Sequence, residues 1–319
     1  MRAKKQLRAD ELDRQIRAAE RKTFAHYGAE PSENVIAVNT GVGHTHVRLS
    51  IFGPEESPET PVLLLHGIAS LTILAAPLLK YVPNRRIIAV DWPGHGLSGP
   101  GVLPKHTDVR RHAVMTIRSI LDALDLDEVD VIGHSMGGQF GLYASLELRD
   151  RVRRLVLLGA PGAGFFGVKP VPVMQLLAIP RLGKRLLSMP VSDKAFDKNN
   201  DLMLGAGALD RVPRVFLYTA KLAGGRKRNA ASIASFFRAL IKRRKVRHGV
   251  AVPLEELASL TQPTLLCWGD EDVFLSPITA NASIISIPDH LLIRVAGAGH
   301  APWLQAEELV GQAVANHLT

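Results

Sequence analysis

The chain has 319 residues, of which 46% are hydrophobic and 22% charged. That mixture excludes a disordered tail and a collagen-like repeat, and a single cysteine, Cys267, excludes a disulfide scaffold. The formal net charge of +9 is local. Between residues 211 and 254 there are twelve Lys and Arg and no Asp or Glu, which leaves 27 basic against 30 acidic residues elsewhere.

Residues 1–28 read as one polar amphipathic helix whose thin apolar face carries Leu7, Leu12, Ile16 and Phe24. Such a helix either lies on the body of the protein or meets a membrane surface or partner. The opening residues have no apolar core of the kind a secretion signal needs. No run of about 18 uncharged apolar residues occurs anywhere, so a cytoplasmic location is expected.

From residue 35 the pattern changes to short apolar runs between helical segments. Residues 35–38 and 46–52 predict a hairpin split by Gly41 and Gly43. Residues 61–65 and 86–90 are continuous apolar runs, as expected of strands covered on both faces. A helix is predicted over 108–124, a strand over 129–133, a helix over 139–148 and a strand over 154–158. After Gly162 the alternation stops. Pro170, Pro172, Pro180, Pro190 and Pro213 then punctuate helical pieces until strands resume at 263–268 and 291–295, before a closing helix over 302–317. Strands alternating with helices predict an α/β fold with a mostly parallel sheet, and residues 163–255 a helical insertion into it.

Gly133-His134-Ser135-Met136-Gly137 lies between a predicted strand and a predicted helix, the context that turns a common G-x-S-x-G pattern into a nucleophile elbow. A serine standing out of a sheet on so sharp a turn needs small neighbours on either side, and the following helix offers free N–H groups to a developing oxyanion. The hydroxyl also needs a base and an orienting acid. His300, in Gly297-Ala298-Gly299-His300, follows the 291–295 strand. Asp272, in Trp268-Gly269-Asp270-Glu271-Asp272, follows the 263–268 strand. All three positions fall at the carboxyl ends of strands, where parallel sheets gather ligands. Asp270 competes for the acid role. Asp272 is preferred because it allows more chain to turn the carboxylate toward His300.

His134 is expected to point back into the sheet, His66 and His95 lie in turns, and the remaining histidines read as surface or structural. An oxyanion hole needs two convergent backbone donors. Met136, after the nucleophile, supplies one, and the turn His66-Gly67-Ile68 the other, with Ile68 the preferred donor.

These motifs, together with Asp91-Trp92-Pro93-Gly94-His95-Gly96-Leu97-Ser98, resemble the α/β-hydrolase superfamily in order and spacing over residues 35–318. The resemblance implies an eight-stranded, mostly parallel sheet with a helical cap after the sixth strand. With the N-terminal helix read from its own pattern, the organisation expected is that helix over 1–30, a core over 31–162 and 256–319, and a cap over 163–255. By the same resemblance Ser135 is the nucleophile, Asp272 the acid and His300 the base. Related dehalogenases and epoxide hydrolases use Asp at the nucleophile position, which Ser135 argues against.

Cap residues Phe165, Phe166, Met174, Leu176, Leu177 and Ile179 offer an apolar lining, and His66, Gly67, Phe165 and Phe166 are taken as substrate-pocket candidates. The expectation is a serine hydrolase of hydrophobic carboxylic esters acting through an acyl-enzyme. A C–C bond hydrolase, a cofactor-free haloperoxidase or perhydrolase, a lactonase, an acyltransferase and a non-catalytic receptor are its rivals. No metal or organic cofactor is implied. The basic segment 211–247 reads as a solvated cap face, a funnel for acidic substrates or a contact for an anionic membrane, toward which Phe236-Phe237 points. Base-stacking aromatics and a binding module are missing, so no nucleic acid is expected.

Overall fold

The computed structural model describes residues 2–205 and 207–319. Met1 of the expected N-terminal helix and Ala206 of the insertion lie outside the described residues. Helix α1 (Arg2–His26) leads into strands β1 (Ser32–Asn39), β2 (His44–Phe52), β3 (Val62–Leu65) and β4 (Ile87–Asp91). There follow α2 (Val109–Ala123), β5 (Val129–His134), α3 (Met136–Glu147) and β6 (Val152–Leu158). The insertion holds α4 (Pro172–Leu177), α5 (Leu182–Leu187), α6 (Asp193–Leu204), α7 (Arg214–Gly224) and α8 (Ala230–Leu240). A small hairpin, β7 (Ile241–Lys242) and β8 (Lys245–Val246), and the short α9 (Leu254–Leu257) complete it. The chain closes with β9 (Thr264–Gly269), α10 (Asn281–Ile285), β10 (His290–Val295) and α11 (Glu307–Leu318).

Eight strands form one sheet in the order β1-β2-β4-β3-β5-β6-β9-β10. β1 and β2 pair antiparallel, and β2 pairs antiparallel with β4. Every pairing beyond β4 is parallel. The apolar runs are buried because successive side chains serve opposite faces. Leu63 and Leu65 join the core beneath α2 and α3, whereas Val62 and Leu64 join the core beneath α11. Asp108 caps α2 by accepting the Arg111 amide at 3.0 Å, so the predicted helix starts one residue later than the pattern suggested.

The N-terminal helix lies on the body of the protein. Ile16, Ala19, Thr23 and Phe24 are buried, and Leu7 alone of the four apolar-face residues is mostly exposed. Glu20 meets the buried Arg48 through two 2.7 Å hydrogen bonds, and Arg48 in turn binds Asp91 at the end of β4. On its other side α1 holds the insertion. Asp13 accepts two hydrogen bonds from Arg226, and Thr23 meets Thr219 of α7 at 2.9 Å. The helix therefore ties sheet and insertion together. No helix among the described residues is long and apolar enough to cross a membrane.

Candidate active site

The turn between β5 and α3 places Ser135 at φ 53° and ψ −120°, a conformation that costs an ordinary residue roughly 1–3 kcal/mol. Packing holds it there. A Cβ on Gly137 would sit 2.1 Å from the Leu65 carbonyl oxygen, and one on Gly133 would sit 2.5 Å from that of Gly137. Only glycine lets β3, β5 and α3 come this close, which is why both glycines of the motif are needed.

Ser135 keeps 9% of its surface exposed at the floor of a cleft. Ile68, Met136, Ala163, Met174, Phe237 and Phe274 are among the walls, and no charged side chain lines the space. Its free volume is about 50 Å³, room for a narrow aliphatic chain. Ile68 and Met136 line the cleft with the serine, and their amides donate to no protein acceptor among the described residues. Gly67 packs edge-on against the elbow, since a Cβ there would lie 3.1 Å from the Ser135 Cβ.

His300 and Asp272 come together. Nδ1 of the buried His300 lies 2.7 Å from Oδ2 of Asp272, which also accepts the Ala160 amide at 2.9 Å. Oδ1 accepts the Phe274 amide at 3.0 Å. Burial alone would raise the Asp272 pKa. The neighbouring imidazole and the two amides outweigh it and hold the carboxyl below its ordinary range. An ionised Asp272 accepts a hydrogen bond from His300 Nδ1–H, which leaves the lone pair on Nε2, an atom without a hydrogen-bond partner among the described residues. No hydrogen bond joins the Ser135 hydroxyl to it.

Asp270, the rival acid, instead accepts Arg294 Nε at 2.7 Å, at the edge of the sheet. The other buried histidines are uncharged structural groups. His66 accepts the Trp92 amide at Nε2 and donates from Nδ1 to the Gly67 carbonyl at 2.7 Å. Burial pushes His95 down to about 3 and His112 to about 4.

Several pocket expectations are corrected. Phe165 is buried against Trp268, with ring centroids 5.9 Å apart, and Phe166 is 53% exposed; neither lines the cleft. His66 is buried behind the loop with both ring nitrogens engaged, and it does not line the cleft either. Of the six apolar cap candidates Met174 does, whereas Leu176 and Ile179 face an outer groove. Phe236 and Phe237 are not surface residues. Phe236 packs against His95 and Phe140, and Phe237 walls the cleft. For all but His66 the reason is the same: side chains of the insertion are sorted by how it folds back on the sheet, which local pattern does not encode.

Two supports of His300 have no sequence signal. His134 donates from Nε2 to the His300 carbonyl at 3.1 Å and stacks beside its ring, with centroids 4.8 Å apart. It does not simply turn into the sheet. From the cap, the Met203 carbonyl at the end of α6 accepts the His300 amide at 2.7 Å, and the Leu204 carbonyl accepts that of Gly299 at 2.9 Å. The loop carrying the imidazole is therefore held by the insertion as well as by the core.

The same architecture appears in proteins of known structure. A carboxylesterase from Bacillus subtilis superposes with a TM-score of 0.71 at 19% identity, covering 97% of this chain and 98% of that one. Among sequences, haloalkane dehalogenase 2 of Mycobacterium tuberculosis is 27% identical over 279 residues, 82% of this chain and 88% of that protein. A 2-hydroxy-6-oxo-2,4-heptadienoate hydrolase of Pseudomonas putida is 39% identical over 111 residues, 33% of this chain and 39% of that protein. The model of the alpha/beta hydrolase family matches residues 62–313, from β3 into α11, and so takes in the elbow, both buried partners and the insertion between them. With sheet order, elbow and family match agreeing over most of its length, the chain belongs to the α/β-hydrolase family.

Proposed function

We propose that the chain is a serine hydrolase of carboxylic esters with a hydrophobic acyl portion, working through an acyl-enzyme. The observation that carries this reading is the cleft itself: an apolar space with a strained serine at its floor, whose wall residue Phe274 packs on the ring of His300, itself paired with Asp272.

In this reading Ser135 Oγ attacks the ester carbonyl carbon while Nε2 of His300 takes its proton. Asp272 stabilises the imidazolium, and the amides of Ile68 and Met136 receive the developing oxyanion. Collapse expels the alcohol, which recovers the proton from Nε2. A water molecule, deprotonated in turn by His300, attacks the acyl carbon and releases the acid and Ser135.

Halide displacement does not fit these residues. Attack of a serine oxygen on a saturated carbon would leave an alkyl ether, which water activated by a histidine does not cleave. A second reading is hydrolysis of a keto acid without an ester bond, as the name of the Pseudomonas putida relative indicates for that protein. A free carboxylate in such a substrate calls for a cationic partner, and the Ser135 cleft offers none. The ester reading is therefore preferred.

A fluorophosphonate probe tests the nucleophile. Labelling is expected in the natural chain and lost in Ser135→Ala; undiminished labelling in that variant would sink the assignment. With p-nitrophenyl esters, kcat/KM is expected to rise from acetate to medium acyl chains, and a preference for dienoate keto acids would favour the second reading.

A further inference from the structure

Eight of the twelve cations of segment 211–247 fall into two groups. Lys221 pairs with Asp193, Arg226 with Asp13 and Arg228 with Asp13, so these are structural. Those from Arg238 onward gather elsewhere. Arg238, Lys242, Arg243, Arg244 and Arg247 line an open groove of about 1020 Å³ together with Lys105 from the core. No Asp or Glu is among the lining residues. Arg238 and Arg247 are anchored on backbone carbonyls, those of Leu103 and Arg238, and have no acidic partner in the groove.

The tip of this groove is strained. β7 and β8 pair Ile241 with Val246 and Lys242 with Lys245, which makes Arg243 and Arg244 the two residues of a tight turn. Both have left-handed backbones, φ 47° and 68°, where such turns ordinarily use Asn and Gly. Two arginines held in that conformation at the lip of a groove that six cations and no carboxylate line point to a ligand that rewards their charge.

Apolar surface lies alongside. Leu176 and Ile179 line the groove and are each 46% exposed, and Val173, Met189 and Val191 are exposed in the same α4–α5 region. One wall separates this face from the catalytic cleft. Met174, Phe237 and Leu240 turn toward Ser135, their neighbours Gln175, Arg238 and Ala239 turn toward the groove, and Ile241 borders both.

We propose that this face of the cap docks the enzyme on a bilayer bearing anionic phospholipid headgroups. The cations meet phosphates, the exposed aliphatic side chains reach the acyl boundary, and the mouth of the cleft is held at the lipid surface. A nucleic acid would satisfy the charges but would leave the aliphatic surface in water, and the groove lining holds no Phe, Tyr or Trp, with His106 its single ring. Docking goes beyond the hydrolytic reading and does not depend on it.

Sedimentation of the full chain with vesicles tests the proposal. Partition onto phosphatidylcholine–phosphatidylglycerol vesicles is expected to exceed that onto pure phosphatidylcholine and to fall as salt is raised. A triple variant, Lys242→Gln with Arg243→Gln and Arg244→Gln, is expected to lose about tenfold or more of that partition while cleaving a water-soluble short-chain ester as the natural chain does. A pair that leaves the turn intact, Lys105→Gln with Lys242→Gln, is expected to lose about fivefold or more, which guards against misfolding of the hairpin. Equal partition onto neutral and anionic vesicles, unchanged partition of both variants, or stronger retention on a DNA duplex than on the mixed vesicles would each overturn it. Partition is read without turnover, so failure of the serine-hydrolase reading, seen as absent fluorophosphonate labelling, is a separate result.

Discussion

Oδ2 of Asp272 receives both the Nδ1 proton of His300 and the amide of Ala160, at 2.7 and 2.9 Å. A carboxylate so placed is oriented by the backbone of the loop after β6 before it orients the imidazole. His300 is thus held from three sides: by Asp272, by His134 and by the Met203 carbonyl of the cap.

Asp272→Asn would replace an acceptor by a donor facing Nδ1 and favour the wrong tautomer of His300. Ester turnover is expected to fall by about 10³–10⁴ while fold and melting temperature change little. Asp270→Asn, which removes only a contact with the half-exposed Arg294, is expected to keep turnover within a factor of about two. Steady-state kinetics of the two variants side by side check the assignment; the reverse order would make Asp270 the acid.

Gly137→Ala would force a methyl into the backbone of β3, within 2.1 Å of the Leu65 oxygen. A loss of about 2–4 kcal/mol of stability, with loss of probe labelling, is expected from denaturant titration. Gly224→Ala is the control. It lies at the end of α7 with open space around its Cβ position, and a change from about zero to a gain of 1 kcal/mol is expected.

Burial pushes Glu20 up to about 7, even though Arg48 pulls the other way, because Asp91 shares the same guanidinium. The folded state therefore binds a proton that the unfolded chain, with an ordinary glutamate pKa near 4.5, releases. The sign follows: stability is expected to decline as pH rises from about 4.5 through 7, by on the order of 3 kcal/mol. Glu20→Gln should flatten that decline, as thermal melts between pH 5 and 8 would show. A variant that keeps the full slope would place its origin elsewhere.

Phe237→Ala removes one wall of the cleft that holds Ser135. The ratio of kcat/KM for long over short acyl esters is expected to rise by about tenfold, at some cost in stability. Phe166→Ala, outside the cleft, is expected to leave the chain-length profile unchanged.

Much of this architecture was legible in the residues themselves. Apolar runs such as 61–65 and 86–90 can be satisfied only by strands covered on both faces, and glycines at 133 and 137 around a serine admit one kind of sharp turn. Those are short-range constraints, set by chain geometry and by where apolar groups can hide from water. The 3-10 turns of Thr72–Tyr81, the β7–β8 hairpin and the short α10 were not legible, since each owes its shape to what packs against it. The choice of Asp272 rested on a loop-length argument, and the contacts that separate it from Asp270 are long-range: Ala160 and His300 for one, Arg294 for the other. The cap was least readable of all. Whether Phe165 or Phe237 walls the cleft, and whether Arg226 or Arg243 meets a carboxylate, depends on how the insertion folds over the sheet and under α1. Sequence alone settled the fold class and the strained serine because both are local demands on the backbone. Which side chains surround that serine was decided by tertiary packing, where residues more than a hundred positions apart compete for the same few ångströms.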